Sequence, residues 1–481
     1  MVTHRDPVQK SAKIDNSTTQ SAENHLMEAK IMKRKARNRK RLQEHLEQVN
    51  LYAAGIDIGS TSHYVAVPPS LDDQPVREFS CFTGDLEHMA DWLKHVGIAT
   101  VAMESTGVYW IPAYEILEER GFEVYLVNPR YLKNVPGRKT DVLDCQWLQQ
   151  LHSFGLLRAA FRPSEEICAL RTYMRQRSML IENAATHIQH MQKALRQMNL
   201  LLDNVVADIT GKTGMQIIRS ILKGQRDPES LAKYRDHRCK NSEEVIAKSL
   251  KGHYKEEHLF SLRQAVELYD FYQRQIAICD QAIGTALSKI DGPDDLDELP
   301  PEKRKTRRKK IDLPFDAREN LYDITGVDIT KVDGIKETTA LKIISEIGTD
   351  MSAWPTVKHF ASWLGLSPGN KITGGKIISS KTKTCANRAA EAFRIAAYSL
   401  TKSKSALGAY YRRKRSQLGA PKAITATAHK IARLVYSLLK YGTDYIDQGQ
   451  DYYEKKYRDR VIKNLTKKAK SFGYKIIPLT T

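Results

Sequence analysis

Between residues 51 and 160 the chain alternates short apolar runs with polar joints. Period-two runs rich in Val, Ile, Tyr and Phe predict strands over 52–58, 62–68, 76–82, 98–103 and 122–127. The first three lie close together, as in an antiparallel meander. Segments with apolar residues three and four apart predict helices from Asp85 to Val96, from Val108 to Arg120, and from about Asp141 onward.

A second pattern begins after residue 160. Ile167, Leu170, Met174, Ile181 and Ala184 start a stripe that runs in steps of three and four to Leu195, Leu202 and Val205, broken once by Arg177. Leu262, Tyr269, Ile276 and Ile283 recur at strict seven-residue spacing, with Val266 and Leu287 beside them. Narrow stripes of this length predict a coiled-coil helical domain over 161–291, pairing within one chain or between chains, with a role in oligomerisation expected. Residues 292–319 are a Pro- and charge-rich linker, 320–450 a third, largely helical domain, and 451–481 a basic tail. Residues 1–50 are a partly disordered basic extension.

Charge changes the picture. The 481 residues carry 76 basic and 56 acidic side chains, a formal charge of +20, which suits a polyanionic partner such as nucleic acid. Basic blocks stand at 30–41, 303–310 and 455–470. The six cysteines are scattered without a CxxC pair, which argues against a zinc site or a disulfide framework. No apolar stretch is long enough to cross a bilayer and the N-terminus lacks a signal-peptide core, so a cytoplasmic protein with no membrane partner is expected.

The candidate chemistry lies in four carboxylates. Asp57 ends the first apolar run, in Gly55-Ile56-Asp57-Ile58-Gly59, and Glu104 ends the fourth. Asp141 and Asp144, three apart, share one helix face. A carboxylate at the end of a buried strand is costly unless a cation or hydrogen bonds satisfy it. Four in such settings can hold two divalent metals, the apparatus that cleaves phosphodiesters. Three strands followed by helix-strand-helix-strand-helix is the order of an α/β RNase H-like domain, in which all four acids converge. Arg138 and Lys139 stand where backbone phosphates would pass. The glycine-flanked Asp57 also resembles the first phosphate hairpin of sugar kinases and actin-like ATPases, a minor alternative because no late glycine-rich adenosine loop follows. A metal-dependent junction nuclease and a catalytically silent RNA-binding scaffold are also compatible with these residues.

In the third domain, Val332-Asp333-Gly334-Ile335 ahead of Thr338-Thr339-Ala340-Leu341 looks like a helix-hairpin-helix turn, where Gly334 would let backbone amides approach a phosphate. Thr373, in Ile372-Thr373-Gly374-Gly375-Lys376, is a hydroxyl in a glycine-rich, lysine-flanked loop that can attack phosphorus. A turn threonine bonding its own backbone is the competing reading. Lys381, Lys383 and Arg388 follow.

Taken in order, Gly55-Ile56-Asp57, Glu104-Ser105-Thr106-Gly107, Lys139-Thr140-Asp141-Val142-Leu143-Asp144, Leu364-Gly365-Leu366-Ser367-Pro368, Thr373-Gly374-Gly375-Lys376 and the run from Gly419 to Lys430 are similar to the motifs of the DEDD transposases of IS110 insertion sequences, in particular the IS1111 branch. The resemblance covers nearly the whole chain from about residue 51. It implies a RuvC-like N-terminal domain joined through a coiled coil to a C-terminal transposase domain. It implies that Asp57, Glu104, Asp141 and Asp144 bind Mg²⁺, with two ions per site. It implies donor and target DNA as substrates, a structured noncoding guide RNA, and a homo-oligomer (dimer or tetramer) in which the two domains of different subunits meet. Gly374, Gly375, Lys376, Lys381, Lys383 and Arg388 would face nucleic acid. The family's serine nucleophile aligns with Thr373, so Thr373, or one of Ser367, Ser379 and Ser380, would act in its place.

Overall fold

The computed structural model describes residues 47–128, 141–299, 301, 312–384, 386–442 and 445–477. Arg138, Lys139 and the basic blocks at 30–41 and 303–310 lie outside the described residues. The chain divides into two compact units, Met1–Phe161 and Arg162–Thr481.

The first unit is a five-stranded mixed sheet with helices on both faces. The strands are β1 (Ala53–Ile58), β2 (Ser62–Ala66), β3 (Val76–Ser80), β4 (Thr100–Glu104) and β5 (Glu123–Val127). The helices are α1 (Thr83–His95), α2 (Trp110–Glu119) and α3 (Asp141–Ser153). The sheet order is β3-β2-β1-β4-β5. β1, β2 and β3 pair antiparallel, while β4 and β5 continue parallel to β1. The two directions follow from the joints: short polar turns reverse the chain, whereas each helix carries it back to start a parallel strand.

The two faces differ in chemistry. Ala54, Ile56 and Ile58 point to one side and pack with Leu86, Met89 and Leu93 of α1 and Leu117 of α2. Full burial of a side chain such as Ile56, Leu93 or Met103 stabilises by about 1.5–3 kcal/mol each. Gly55 and Asp57 point to the other side, against α3. There the apolar cluster is small, with Ala102, Val127 and Leu148 buried and Tyr125, Leu151 and Leu157 beside them.

The second unit is mostly α-helical. Helices α4 (Glu165–Gln197) and α6 (Glu256–Leu287) are its longest paired elements, with α5 (Lys212–Leu222) and short turns of helix between them in sequence. They lie antiparallel within one chain: Cys279 Sγ donates to the Tyr173 carbonyl, Arg177 pairs with Asp280, and the His187 ring stacks on Tyr272. Leu262 and Tyr269 of the heptad series are buried in the same core as Met191, Leu195, Ile218 and Ile246. The stripes expected to make a coiled coil are thus occupied by an intrachain partner and by the intervening short helices. Arg177, the polar break in the first stripe, is buried with Asp280 at 4% and 5% exposure.

Beyond them come α7 (Ala317–Thr325), α8 (Glu337–Ile347), α9 (Val357–Trp363), the hairpin β6 (Lys371–Thr373) and β7 (Lys376–Ser379), then α10 (Arg388–Ser399), α11 (Ala406–Leu418), α12 (Ala420–Tyr441) and α13 (Gly449–Ser471). α4 is fastened to α8 by charge-assisted bonds. Arg175 grips the Glu346 carboxylate with two bonds of 2.8 and 2.7 Å, and Arg171 donates to the Ser345 and Glu346 carbonyls at the C-terminal end of α8. No helix among the described residues is long and apolar enough to cross a membrane.

Candidate active site

The position of the acids follows from one glycine. A Cβ on Gly55 would stand 2.2 Å from the Gln149 amide nitrogen and 2.5 Å from the Cys145 carbonyl oxygen, so α3 rests directly on the β1 backbone. Asp57, two residues along the same face, therefore lies beneath the first turns of α3, which carry Asp141 and Asp144. β4 supplies the fourth acid. It pairs parallel to β1 with Gly55 opposite Ala102 and Ile56 opposite Met103, and the next step of that register sets Glu104 beside Asp57. Ala102 and Glu104 share the α3 face of the sheet.

The acids sense one another. Burial pushes the Asp57 carboxyl up from 3.8 to about 6, and the negative charges of Asp141, Asp144 and Glu104 push in the same direction; the Ile58 amide opposes them. The four sequence-predicted acids are thus brought together around the end of β1. They stand at electrostatic range: among the described residues, no three acidic, His or Cys side chains form a ready-made metal site. Glu104 is steadied by Thr106, whose hydroxyl donates to its Oε1 at 3.0 Å. Ser105 locks the turn after β4 by donating through its amide and its hydroxyl to the Val127 carbonyl.

Neighbouring titratable groups are quiet. Burial, with Asp57 next, raises the Cys145 thiol to about 12, so it stays protonated and packs as an apolar group. Burial lowers His152 to about 4, and its Nε2 lies 2.9 Å from the Thr100 hydroxyl. The segments that carry the acids also expose large apolar side chains, Val108, Tyr109, Val142 and Leu143. Sequence reasoning gives these side chains no role of their own; Val142 and Leu143 stand between two acids, and Val108 and Tyr109 follow Gly107.

Thr373 belongs to the second unit, on a two-residue hairpin. Thr373 pairs with Lys376 across Gly374 and Gly375, which adopt φ of 55° and 76°. Positive φ at both central residues defines the tight turn that matches strand twist and favours Gly-Gly. Thr373, Gly374, Gly375 and Lys376 are all exposed, as are Lys381, Lys383 and Arg388. Of the nearby serines, Ser380 is exposed, Ser367 and Ser379 are half-buried, and Ser379 Oγ accepts from the Lys381 amide at 3.3 Å. Gly334 is held by packing: with φ of 91°, a Cβ there would meet the Ala396 carbonyl oxygen at 2.6 Å.

A mixed α/β unit with clustered carboxylates, followed by a helical unit with an exposed hydroxyl-bearing hairpin, is an arrangement suited to nucleic-acid strand chemistry. Comparison with known families agrees: residues 54–200 match the transposase family model DEDD_Tnp_IS110, and residues 328–412 match a model described as Transposase IS116/IS110/IS902 family. The chain therefore carries two regions that match IS110-family transposase domains. No curated protein matches the chain.

Proposed function

We propose that this chain is a site-specific recombinase that mobilises an IS110-type element of the IS1111 branch, guided by an element-encoded noncoding RNA. The observation that carries the reading is the convergence of Asp57, Glu104, Asp141 and Asp144 on one face at the end of β1, where burial and then mutual repulsion raise the Asp57 carboxyl. That repulsion is what a divalent cation would relieve, and an all-carboxylate donor set suits Mg²⁺. Asp57, Glu104, Asp141 and Asp144 would hold Mg²⁺, two ions per site. The bound metal supplies Lewis-acid polarisation of the scissile phosphate and neutralises charge that develops in the transition state. The strand order of the first unit, three antiparallel strands and then two parallel ones, supports reading it as an RNase H-like, RuvC-like fold.

The chain's own nucleophile is the Thr373 hydroxyl. Its Oγ1 forms a bond to phosphorus as one bridging P–O bond breaks, which leaves a deoxyribose hydroxyl and a protein–DNA phosphodiester. The stored bond lets a second strand be joined without an external energy source. The Gly374-Gly375 turn has no side chain to obstruct an approaching backbone, and a Cβ at either position would meet nothing within 4 Å. Lys376, Lys381, Lys383 and Arg388 would bind phosphates, with Arg138, Lys139 and Gly334 as further contacts. Base pairing by the guide RNA supplies sequence choice, so the protein need read only shape and backbone. The chain works as a homo-oligomer.

The test is trapping on nicked element-end DNA with full-length protein, guide RNA and Mg²⁺. A detergent-stable protein–DNA adduct is expected with the parent and with Thr373→Ser, and none with Thr373→Ala or Asp57→Asn. Cleavage by the parent without any adduct would replace the recombinase with a hydrolytic nuclease. An adduct that persists in Thr373→Ala would move the nucleophile to a nearby serine.

A further inference from the structure

A second site lies between α11, α12 and α13. The N-terminal halves of α11 and α13, the middle of α12 and the loop 445–448 border an open cavity of about 620 Å³, within the range of small-molecule pockets. Five cations line it: Arg413, Lys430, Arg433, Lys456 and Arg460. Among the described lining residues Asp447 is the one carboxylate, and it accepts the Ala406 amide at 3.0 Å, capping the chain there. Five tyrosines line it: Tyr445, whose hydroxyl donates to Asp333, and Tyr410, Tyr452, Tyr453 and Tyr457, which supply aromatic surface beside the cations.

Cations and rings are interleaved. The Arg413 guanidinium lies 4.0 Å from the Tyr457 ring centre, and its Nε donates to the Tyr453 hydroxyl at 2.8 Å. Lys430 Nζ lies 4.8 Å from the Tyr410 ring and 5.4 Å from Tyr453. These contacts dock α13 onto α11 but do not neutralise the charge. Burial lowers the Lys430 ammonium below its usual range, and the charges of Arg413, Arg433 and Lys456 lower it further. Arg413 and Lys430 are half-buried while Arg433, Lys456 and Arg460 are exposed around them, a like-charge cluster that rewards a polyanion entering it. A bare inorganic ion would meet the cations alone and draw nothing from the aromatic lining, and a duplex is too wide for the cavity.

The geometry points to a pocket for one unstacked nucleotide of a single-stranded nucleic acid, its base on a tyrosine face and its phosphate among Lys430, Arg433 and Lys456. Base–aromatic stacking within a positively charged groove is the general chemistry of single-strand binding. The run from Gly419 to Lys430, singled out in the sequence, enters here because α12 delivers His429 and Lys430 to the cavity wall. The site is independent of the strand-exchange chemistry and stands whether or not that chemistry occurs.

Photo-cross-linking of the full-length chain tests it, with single-stranded oligonucleotides carrying 5-iodouracil in an RNA arm and a DNA arm. Cross-links are expected on Tyr410, Tyr452, Tyr453 or Tyr457. They should fall roughly tenfold in Lys430→Gln/Arg433→Gln and in Tyr452→Leu. Both variants should melt with the parent by circular dichroism; if one does not, the remaining variant decides. The arm with the higher yield identifies the source as RNA or DNA. Cross-links only outside the pocket, or pocket cross-links unchanged in a folded variant, overturn the proposal. So does equal displacement by inorganic phosphate, by a duplex of the same length, or by an acidic peptide.

Discussion

Replacing Asp57 by Asn should stabilise the metal-free protein while abolishing its chemistry. Asn keeps the shape of the side chain and removes the charge. The Asp57 carboxyl is held at about 6 against an ordinary 3.8. A difference of about two units at ~1.4 kcal/mol each sets a ceiling of about 3 kcal/mol on the cost of its ionisation. The side chain is only half-buried, so screening by solvent reduces this to about 1–2 kcal/mol. The sign follows from proton counting. Between the two values the folded state holds more protons than the unfolded chain, so stability falls as pH rises through that window and the cost is complete above it. For a unit of about 160 residues, at roughly 2–4 °C per kcal/mol, Asp57→Asn should melt about 2–8 °C above the parent at pH 8 in chelator. The gain should shrink as the pH approaches 4.5. Added Mg²⁺ should stabilise the parent and close the gap, because binding to the folded state raises stability by mass action. Scanning calorimetry at pH 8 and pH 4.5, with chelator and with Mg²⁺, makes the comparison. An Asp57→Asn protein no more stable than the parent at pH 8, or a gain that does not vary with pH, would refute the reasoning.

Three further outcomes are expected. Gly55→Val must push α3 off the sheet and should cost about 3 kcal/mol or more, seen as a lower midpoint in urea unfolding together with loss of Mg²⁺-dependent stabilisation. Arg177→Met leaves Asp280 buried without its cation and should cost about 3–5 kcal/mol in denaturant titration, most of it recovered in Arg177→Met/Asp280→Leu. Gly374→Val forces a β-branched residue to a φ of 55° and should abolish adduct formation with a melting temperature within about 2 °C of the parent, since the hairpin tip is exposed.

The strands were legible because one-sided burial imposes a period of two, and the acids because a carboxylate at a strand end has few inexpensive explanations. Asp57, Glu104, Asp141 and Asp144 could be grouped from element order alone. The contact that unites them was hidden: Gly55 reads as a flexible residue, and only the 2.2 Å approach of Gln149 reveals it as a seat for α3. The stripes at 167–205 and 262–287 identified long helices but not their partners, because an apolar stripe does not encode which surface covers it. Arg177 looked like a flaw in its stripe until Asp280, over a hundred residues later, supplied the counter-charge. The tyrosine-lined cavity was illegible for the same reason. Arg413, Lys430 and Lys456 come from three helices, and each alone reads as a solvated cation.

The antiparallel course of α4 and α6 makes the stretch between Glu165 and Leu287 an out-and-back excursion, with Tyr173 beside Cys279 near its base. Such an arm has a length that selection can adjust without redrawing what lies at its root. Deleting seven residues from each limb would shorten it by about 10 Å and return nearly the same faces to each other. The arm is in this sense a ruler, and relatives of different chain length would be expected to differ here first.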